Sequence, residues 1–189
     1  MDALREMLVS DFGRQYERFG HSELLGRVVG LLLCAEKSLT VDDISERLGV
    51  SRSPVNQISR RLEELNLVRR IRIPGDRKYY YEISPTVFLQ AATNVYRLYE
   101  ENLRVADRTL RKAIEQLDAQ QSAEERSVLR TMCERLIDMR EFHLHLLDAY
   151  RRFIDEWRAA QVGLPSLDEY AARLDEAPSM PAAALPSLP

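Results

Sequence analysis

A chain of 189 residues, 45% apolar and 30% charged, is long enough for one core or two, and its richness in Ala, Leu, Glu and Arg points to a helix-rich globular protein. No run reaches the ~18 apolar residues of a membrane span, the longest being VVGLLLCA at Val28–Ala35; the two distant cysteines, Cys34 and Cys133, argue against a disulfide framework and read as reduced, buried small hydrophobes. The formal net charge of −3 disfavours nucleic acid as a partner for the chain as a whole, but Ser51–Glu82 holds eight cations and four anions, a local excess of +4.

The opening stretch, MDALREMLVSDFGRQYERFG, lacks a basic start followed by an apolar block, so the expectation is a cytoplasmic protein without a secretory signal. Leu4, Leu8, Phe12, Tyr16 and Phe19 repeat at helical spacing, which predicts an amphipathic helix over residues 1–20. Gly20 interrupts it. Ser22 is a candidate cap for a second helix to about Glu36, apolar on most sides through Leu24, Leu25, Val28, Val29, Leu31 and Leu32, and therefore central.

The next segment, SLTVDDISERLGVSRSPVNQISRRLEELNLV, divides into helix, turn and helix. Thr40 with Asp43 has the spacing of a capping box, Ile44 and Leu48 form an apolar pair, and Gly49 suits a left-handed stop. Ser51 or Ser53 caps the following helix, Pro54 falls in its first turn, and Val55, Ile58, Leu62 and Leu65 form its buried stripe. Off that stripe lie Ser51, Arg52, Asn56, Gln57, Arg60 and Arg61. A short helix, a glycine turn and a second helix that exposes Arg, Asn and Gln is the helix-turn-helix plan.

After Asn66 the period drops from about four to two. Residues 67–73 and 77–83 alternate as strands, and Pro74-Gly75-Asp76 between them is turn chemistry. This predicts a two-stranded wing with a cationic tip, able to follow phosphates or enter a minor groove while the preceding helix lies in the major groove. The winged helix-turn-helix spans residues 21–84.

Residues 85–162 read as two long antiparallel helices. The first carries Val87, Ala91, Val95, Leu98, Asn102, Val105, Thr109, Ala113 and Leu117 as a heptad-like seam, and AQQSAEE at 119–125 breaks it. The second carries Val128, Met132, Leu136, Met139, His143, Leu146, Tyr150, Phe153 and Trp157. Helices this long need their apolar faces covered, most simply by a second subunit. The Pro- and Ala-rich tail, 163–189, has room for a brief helix near Leu167–Leu174 before a final dozen residues expected to be disordered or draped over a partner.

From FGHSELLGRVVGLLL through LTVDDISERLGVSRSPVNQISRRLEELNLVRRI to PGDRKYYYEI, the order of parts resembles the MarR-type winged-helix transcription regulators, most closely the branch typified by GbsR. The resemblance implies a mostly α-helical homodimer that grips a pseudo-palindromic operator, most often as a repressor. It assigns DNA binding to Ser51, Arg52, Ser53, Asn56, Gln57, Arg60 and Arg61 on the recognition helix and to Arg72, Gly75, Asp76, Arg77 and Lys78 on the wing, with Asp76 orienting Arg77. Regulators of this kind also respond to a small molecule held between the DNA-reading domain and the dimer helices. Tyr79, Tyr80, Tyr81, Tyr96 and Tyr99 fall near that junction, and Tyr80, Tyr96 and Tyr99 are the candidate effector-binding residues, although aromatic side chains there are more often core.

Asn and Gln side chains pair with adenine and Arg with guanine, so Asn56, Gln57, Arg52 and Arg60 are the candidate base readers. The rival reading is a winged helix that binds protein rather than DNA, which has little need of so many arginines and would show a shallow salt dependence. An enzyme is disfavoured by the absence of GxSxG, HExxH, Walker A and paired CxxC motifs, and no cofactor is implied. Glu141, His145 and Asp148 share a helical face, but one histidine among three reads as a solvated surface rather than a metal site, and His143 as a packed core residue.

Overall fold

The structure, a computed structural model, describes residues 2–119 and 122–174. Among the described residues, seven helices and three short strands follow in the order α1 (Asp2–Arg18), α2 (Glu23–Leu33), β1 (Leu39–Thr40), α3 (Val41–Leu48), α4 (Arg52–Glu64), β2 (Val68–Arg72), β3 (Tyr79–Ile83), α5 (Val87–Ala119), α6 (Ala123–Ala160) and α7 (Leu167–Leu174), with a 3-10 turn at Gln161–Gly163. No described helix is long and apolar enough to cross a membrane. Of the sequence expectations, the final dozen residues and part of the break at 119–125 lie outside the described residues.

Helix α2 is central, as its all-round apolarity requires: Val28, Val29, Leu31 and Leu32 are buried and join Ile44, Leu48, Val55, Leu62, Val68 and Tyr81 in one core. Helix α1 lies across α2 at the glycines. Gly26 sits so close that an added Cβ would stand 2.3 Å from the Phe12 carbonyl oxygen, and at Gly30 one would meet the Val9 Cα at 3.1 Å. Val9, Phe12 and Tyr16 therefore pack within the subunit, while Leu4 and Phe19, at the ends of the expected stripe, remain exposed together with Met7.

Local chemistry sets the helix-turn-helix boundaries. Thr40 Oγ1 accepts from the Asp43 backbone N–H while Asp43 accepts from the Thr40 backbone N–H, a complete capping box, and Gly49 ends α3 at φ 66°. The hydroxyl and amide of Thr40 together hold the Asp43 carboxyl below the usual carboxylate range. That contribution to stability is present above the ordinary carboxylate pKa and is lost as pH falls through the lowered one. Thr40→Ala is expected to destabilise the fold by about 1 kcal/mol, readable by urea denaturation.

Helix α4 buries Val55, Ser59 and Leu62, with Ile58 and Leu65 half-buried beside them. It ends through the left-handed Asn66 (φ 56°), whose N–H donates to the Glu63 carbonyl as that of Leu67 donates to the Leu62 carbonyl. Strands β2 and β3 follow directly, in antiparallel register from Val68 opposite Ile83 to Arg72 opposite Tyr79.

The two-stranded wing of β2 and β3 is joined by a third strand: β1 pairs with β3, Leu39 opposite Tyr81 and Thr40 opposite Tyr80, giving the order β1-β3-β2. A two-residue strand has no alternation to detect. Its pairing buries Tyr81 and ties the wing's base to the start of α3.

Helices α5 and α6 run antiparallel. Of the two expected stripes, Ala113 on α5 and His143 on α6 are buried between the helices together with Ala106, Cys133, Leu147 and Ile154, whereas Leu98, Val105, Val128, Met132 and Phe153 are exposed. Asn102 and His143 meet there at 3.3 Å, the Tyr99 ring packs against those of His143 and Tyr150, and Asp107 accepts from Arg140 at 2.7 Å. Small residues at the contact let two long helices approach closely. Cys34, expected to be buried, is only half-covered.

Candidate nucleic-acid interface

The buried stripe of α4 turns its opposite face outward. Arg52, Ser53, Gln57, Arg60 and Arg61 are exposed there, Asn56 is half-buried, and exposed Ser51 stands at the N-cap position without a side-chain capping bond. Positions 52, 56 and 60 lie one turn apart and 53, 57 and 61 run beside them, so six polar side chains share one ridge. On the wing, Arg72, Gly75, Asp76, Arg77 and Lys78 are all exposed. Gly75 takes φ 86°, a conformation the turn requires and side chains resist.

The helix and the wing converge. Asp42, in the first turn of α3, lies 2.6 Å from Arg52 Nε and 3.9 Å from Lys78 Nζ. The start of the exposed α4 ridge and the wing therefore meet at one carboxylate, and the two predicted groups of residues form a single surface.

Asp76, which the resemblance assigns to orienting Arg77, makes its hydrogen bonds within the wing. Its Oδ1 accepts the backbone N–H of Lys78 at 2.8 Å and its Oδ2 accepts the Tyr80 hydroxyl at 2.6 Å. The Tyr80 hydroxyl first, and the Lys78 amide second, hold the Asp76 carboxyl below its usual range, while the same contact raises the Tyr80 phenol. Asp76 closes the turn and leaves the guanidinium of Arg77 outward. Tyr80→Phe is expected to move the Asp76 titration upward, toward an ordinary aspartate, in side-chain NMR.

Much of the local positive charge is already partnered. Arg61 pairs with Glu64 and Arg69 with Glu82, Arg70 lies 3.1 Å from Glu63, and Arg72 donates to the Tyr79 hydroxyl at 2.6 Å. The Tyr79 ring carries the guanidinium carbons of both Arg70 and Arg72, 4.5 and 4.6 Å from its centroid. Among the described residues, Arg60 and Arg77 stand in no ion pair, one on the helix and one at the wing tip. Tyr79 and Asp42 are the members of the surface that sequence reasoning missed as such. Tyr79 reads as part of a tyrosine cluster, and an acidic residue in a helix's first turn reads as a complement to the helix dipole.

The candidate effector tyrosines keep separate company. Tyr80 bonds within the wing, the Tyr96 hydroxyl accepts from Arg151 at 3.4 Å, and Tyr99 packs on α6. Tyr96 also lines a cleft of about 380 Å³ with Glu100, Asp107, Leu147 and Arg151. Of the residues weighed for a metal, Glu141 pairs with Arg140 and Asp148 with Arg152. Among the described residues no group of three His, Cys, Asp or Glu side chains is placed to hold a metal ion.

Comparison with known proteins agrees with this architecture. Residues 31–80, from the end of α2 into β3, match the family model described as the MarR family. The chain is 27% identical over 78 residues to the HTH-type transcriptional repressor OpcR of Bacillus subtilis (strain 168), covering 41% of this chain and 42% of that protein. It is 31% identical over 65 residues to the putative HTH-type transcriptional regulator YvaV of the same organism, covering 34% and 37%. The match thus spans about two fifths of the length of these curated relatives. In structure, the chain superposes with a TM-score of 0.69 on a crystal structure described as a transcriptional regulator, at 21% identity over 82% of this chain and 98% of that one, a likeness of fold. The fold is a mostly helical winged helix-turn-helix, and its residues 31–80 are a MarR-family match.

Proposed function

We propose that the chain binds duplex DNA through the exposed face of α4 and the wing, and so regulates transcription, as a repressor in the manner the description of OpcR states for that relative. The observation that carries this reading is the convergence of the α4 ridge and the wing on one surface, with unpaired Arg60 and Arg77 on its two parts. A protruding ribbon beside a helix bearing amide and guanidinium groups fits a groove and its flanking phosphates. The finer placement in the GbsR-like branch rests on the resemblance of the segments from Phe19 to Ile83.

A homodimer on a pseudo-palindromic operator completes the proposal. On α6, Val128, Met132, Met139, Phe142, Leu146 and Phe153 follow one another by three, four or seven residues on a line outside the α5 seam, and four of them are exposed. A second apolar heptad line on a helix already paired inside its own subunit is suited to pairing between subunits. Two recognition helices would then lie about 34 Å apart, one turn of duplex. A small-molecule effector, held near Tyr80, Tyr96 and Tyr99, is the remaining part, tested by thermal shift against choline-like and unrelated metabolites.

Selection of bound duplexes from a random pool tests the reading, an inverted repeat being the expected product. On a selected duplex, Arg77→Ala should weaken binding to all sequences alike and reduce the log–log salt slope by about 1, measured by fluorescence anisotropy. Asn56→Ala or Arg60→Ala should instead relax preference at individual base pairs, by about 1–3 kcal/mol each. Equal effects of all three on selected and random duplexes would count against base readout by α4.

A further inference from the structure

We propose that Asp42 is a specificity-determining residue: its carboxylate neutralises and orients Arg52 and Lys78, suppressing binding to duplexes of any sequence. This rests on the reading of α4 and the wing as the duplex-binding surface. The two neighbouring acids of α3 have divided roles. Asp43 turns back onto Thr40 and closes the capping box, whereas Asp42 points outward, one oxygen 2.6 Å from Arg52 Nε and the other 3.9 Å from Lys78 Nζ.

The capping box of α3 does not use Asp42, whose charge serves that helix only through its dipole, and its position places a negative charge inside a surface meant for phosphates. There it has two effects. It offsets one of the two positive charges that an approaching backbone would meet at this junction, which weakens sequence-independent attraction. It also occupies the Nε edge of Arg52. A guanidinium has five N–H donors in a rigid fork, and with the Nε edge engaged it presents its two terminal nitrogens outward. That end-on pair matches the two adjacent acceptors of a guanine edge and gains less from a lone phosphate oxygen. Arg52 is 74% and Asp42 41% exposed at the side chain, so water screens the pair and a duplex can reach the outer edge of the fork.

The test is Asp42→Asn, which keeps the size and an oxygen for Arg52 Nε but removes the charge. Binding to a random duplex should tighten several-fold at low salt, its log–log salt slope steepening by about 0.9 for each cation released. Affinity for a selected duplex should rise less, so the ratio of the two falls. A second comparison needs no change at position 42: on random duplex, Arg52→Gln should weaken binding less than Arg77→Gln, because Arg52 is already neutralised and Arg77 is not. Unchanged or weaker random-duplex binding by a folded Asp42→Asn protein, or equal losses for Arg52→Gln and Arg77→Gln, would overturn the proposal. If the unmodified protein binds no duplex in dilute buffer, the DNA-binding reading itself falls and this proposal with it, an outcome distinct from either of those.

Discussion

Replacing Leu62 by alanine is expected to remove about 2–5 kcal/mol of folding stability. Leu62 is fully buried on the inner face of α4, in the same core as Val28, Ile44, Val55 and Val68, and no water can enter to fill the space left by its side chain without meeting an apolar lining. The loss is a large part of the ~5–15 kcal/mol that holds a typical domain together, so the unfolding midpoint in urea should move well down the scale with its slope unchanged. Arg60→Ala, two residues away but on the exposed face, should leave that midpoint within about 0.5 kcal/mol of the original. The pair separates what α4 does for the fold from what it offers to a partner. A Leu62→Ala protein as stable as the original would mean that α4 is not seated by this residue.

Gly26→Ala should also destabilise the fold, although alanine is the better helix former by about 1 kcal/mol in a helix interior. The added methyl would lie 2.3 Å from the Phe12 carbonyl oxygen and 2.9 Å from the Tyr16 Cβ, with a further clash at the Phe12 carbonyl carbon. These are backbone and Cβ atoms, which cannot swing aside as a flexible side-chain end would. Helix α1 has to move as a body, loosening Val9, Phe12 and Tyr16 from α2. Overpacking of this kind costs about 1–3 kcal/mol, enough to outweigh the gain in propensity. Hydrogen exchange should show the α1 amides losing protection before those of α3 and α4. A rise in stability of about 1 kcal/mol would show that α1 and α2 do not approach so closely.

How legible each part was depended on whether the determining interaction was local. Thr40, Asp43 and Gly49 fix the ends of α3 through contacts within a few residues, so their spacing predicted the helix-turn-helix boundaries. The wing's alternation and its Pro74-Gly75-Asp76 turn were legible for the same reason. Strand β1 was not, because Leu39 and Thr40 become a strand only when β3 arrives from forty residues away. On the long helices, two apolar lines run side by side on α6, and a periodic pattern does not say which line faces α5. The buried Ala113 lies on the expected line of α5, but the buried Ala106 does not, and alanine is too common in helices to stand out. The exposed α4 residues were predictable from the buried stripe opposite them. That Asp42 joins Arg52 to Lys78 required the fold, since residues 42, 52 and 78 meet only in three dimensions.

The left-handed joint at Asn66 makes the wing a lever arm. Only Leu65 and Asn66 separate the end of α4 from Leu67, whose amide is bonded back to that helix, so the ribbon has no slack at its root. At roughly 3.3 Å per residue the tip at Gly75 stands about 25 Å away, and a pivot of about 10° at the joint would sweep it by about 4 Å. Whatever tilts α4 by a small angle is thus amplified at the far end of the ribbon, and the backbone angle of one asparagine sets the span over which the two parts can grip together.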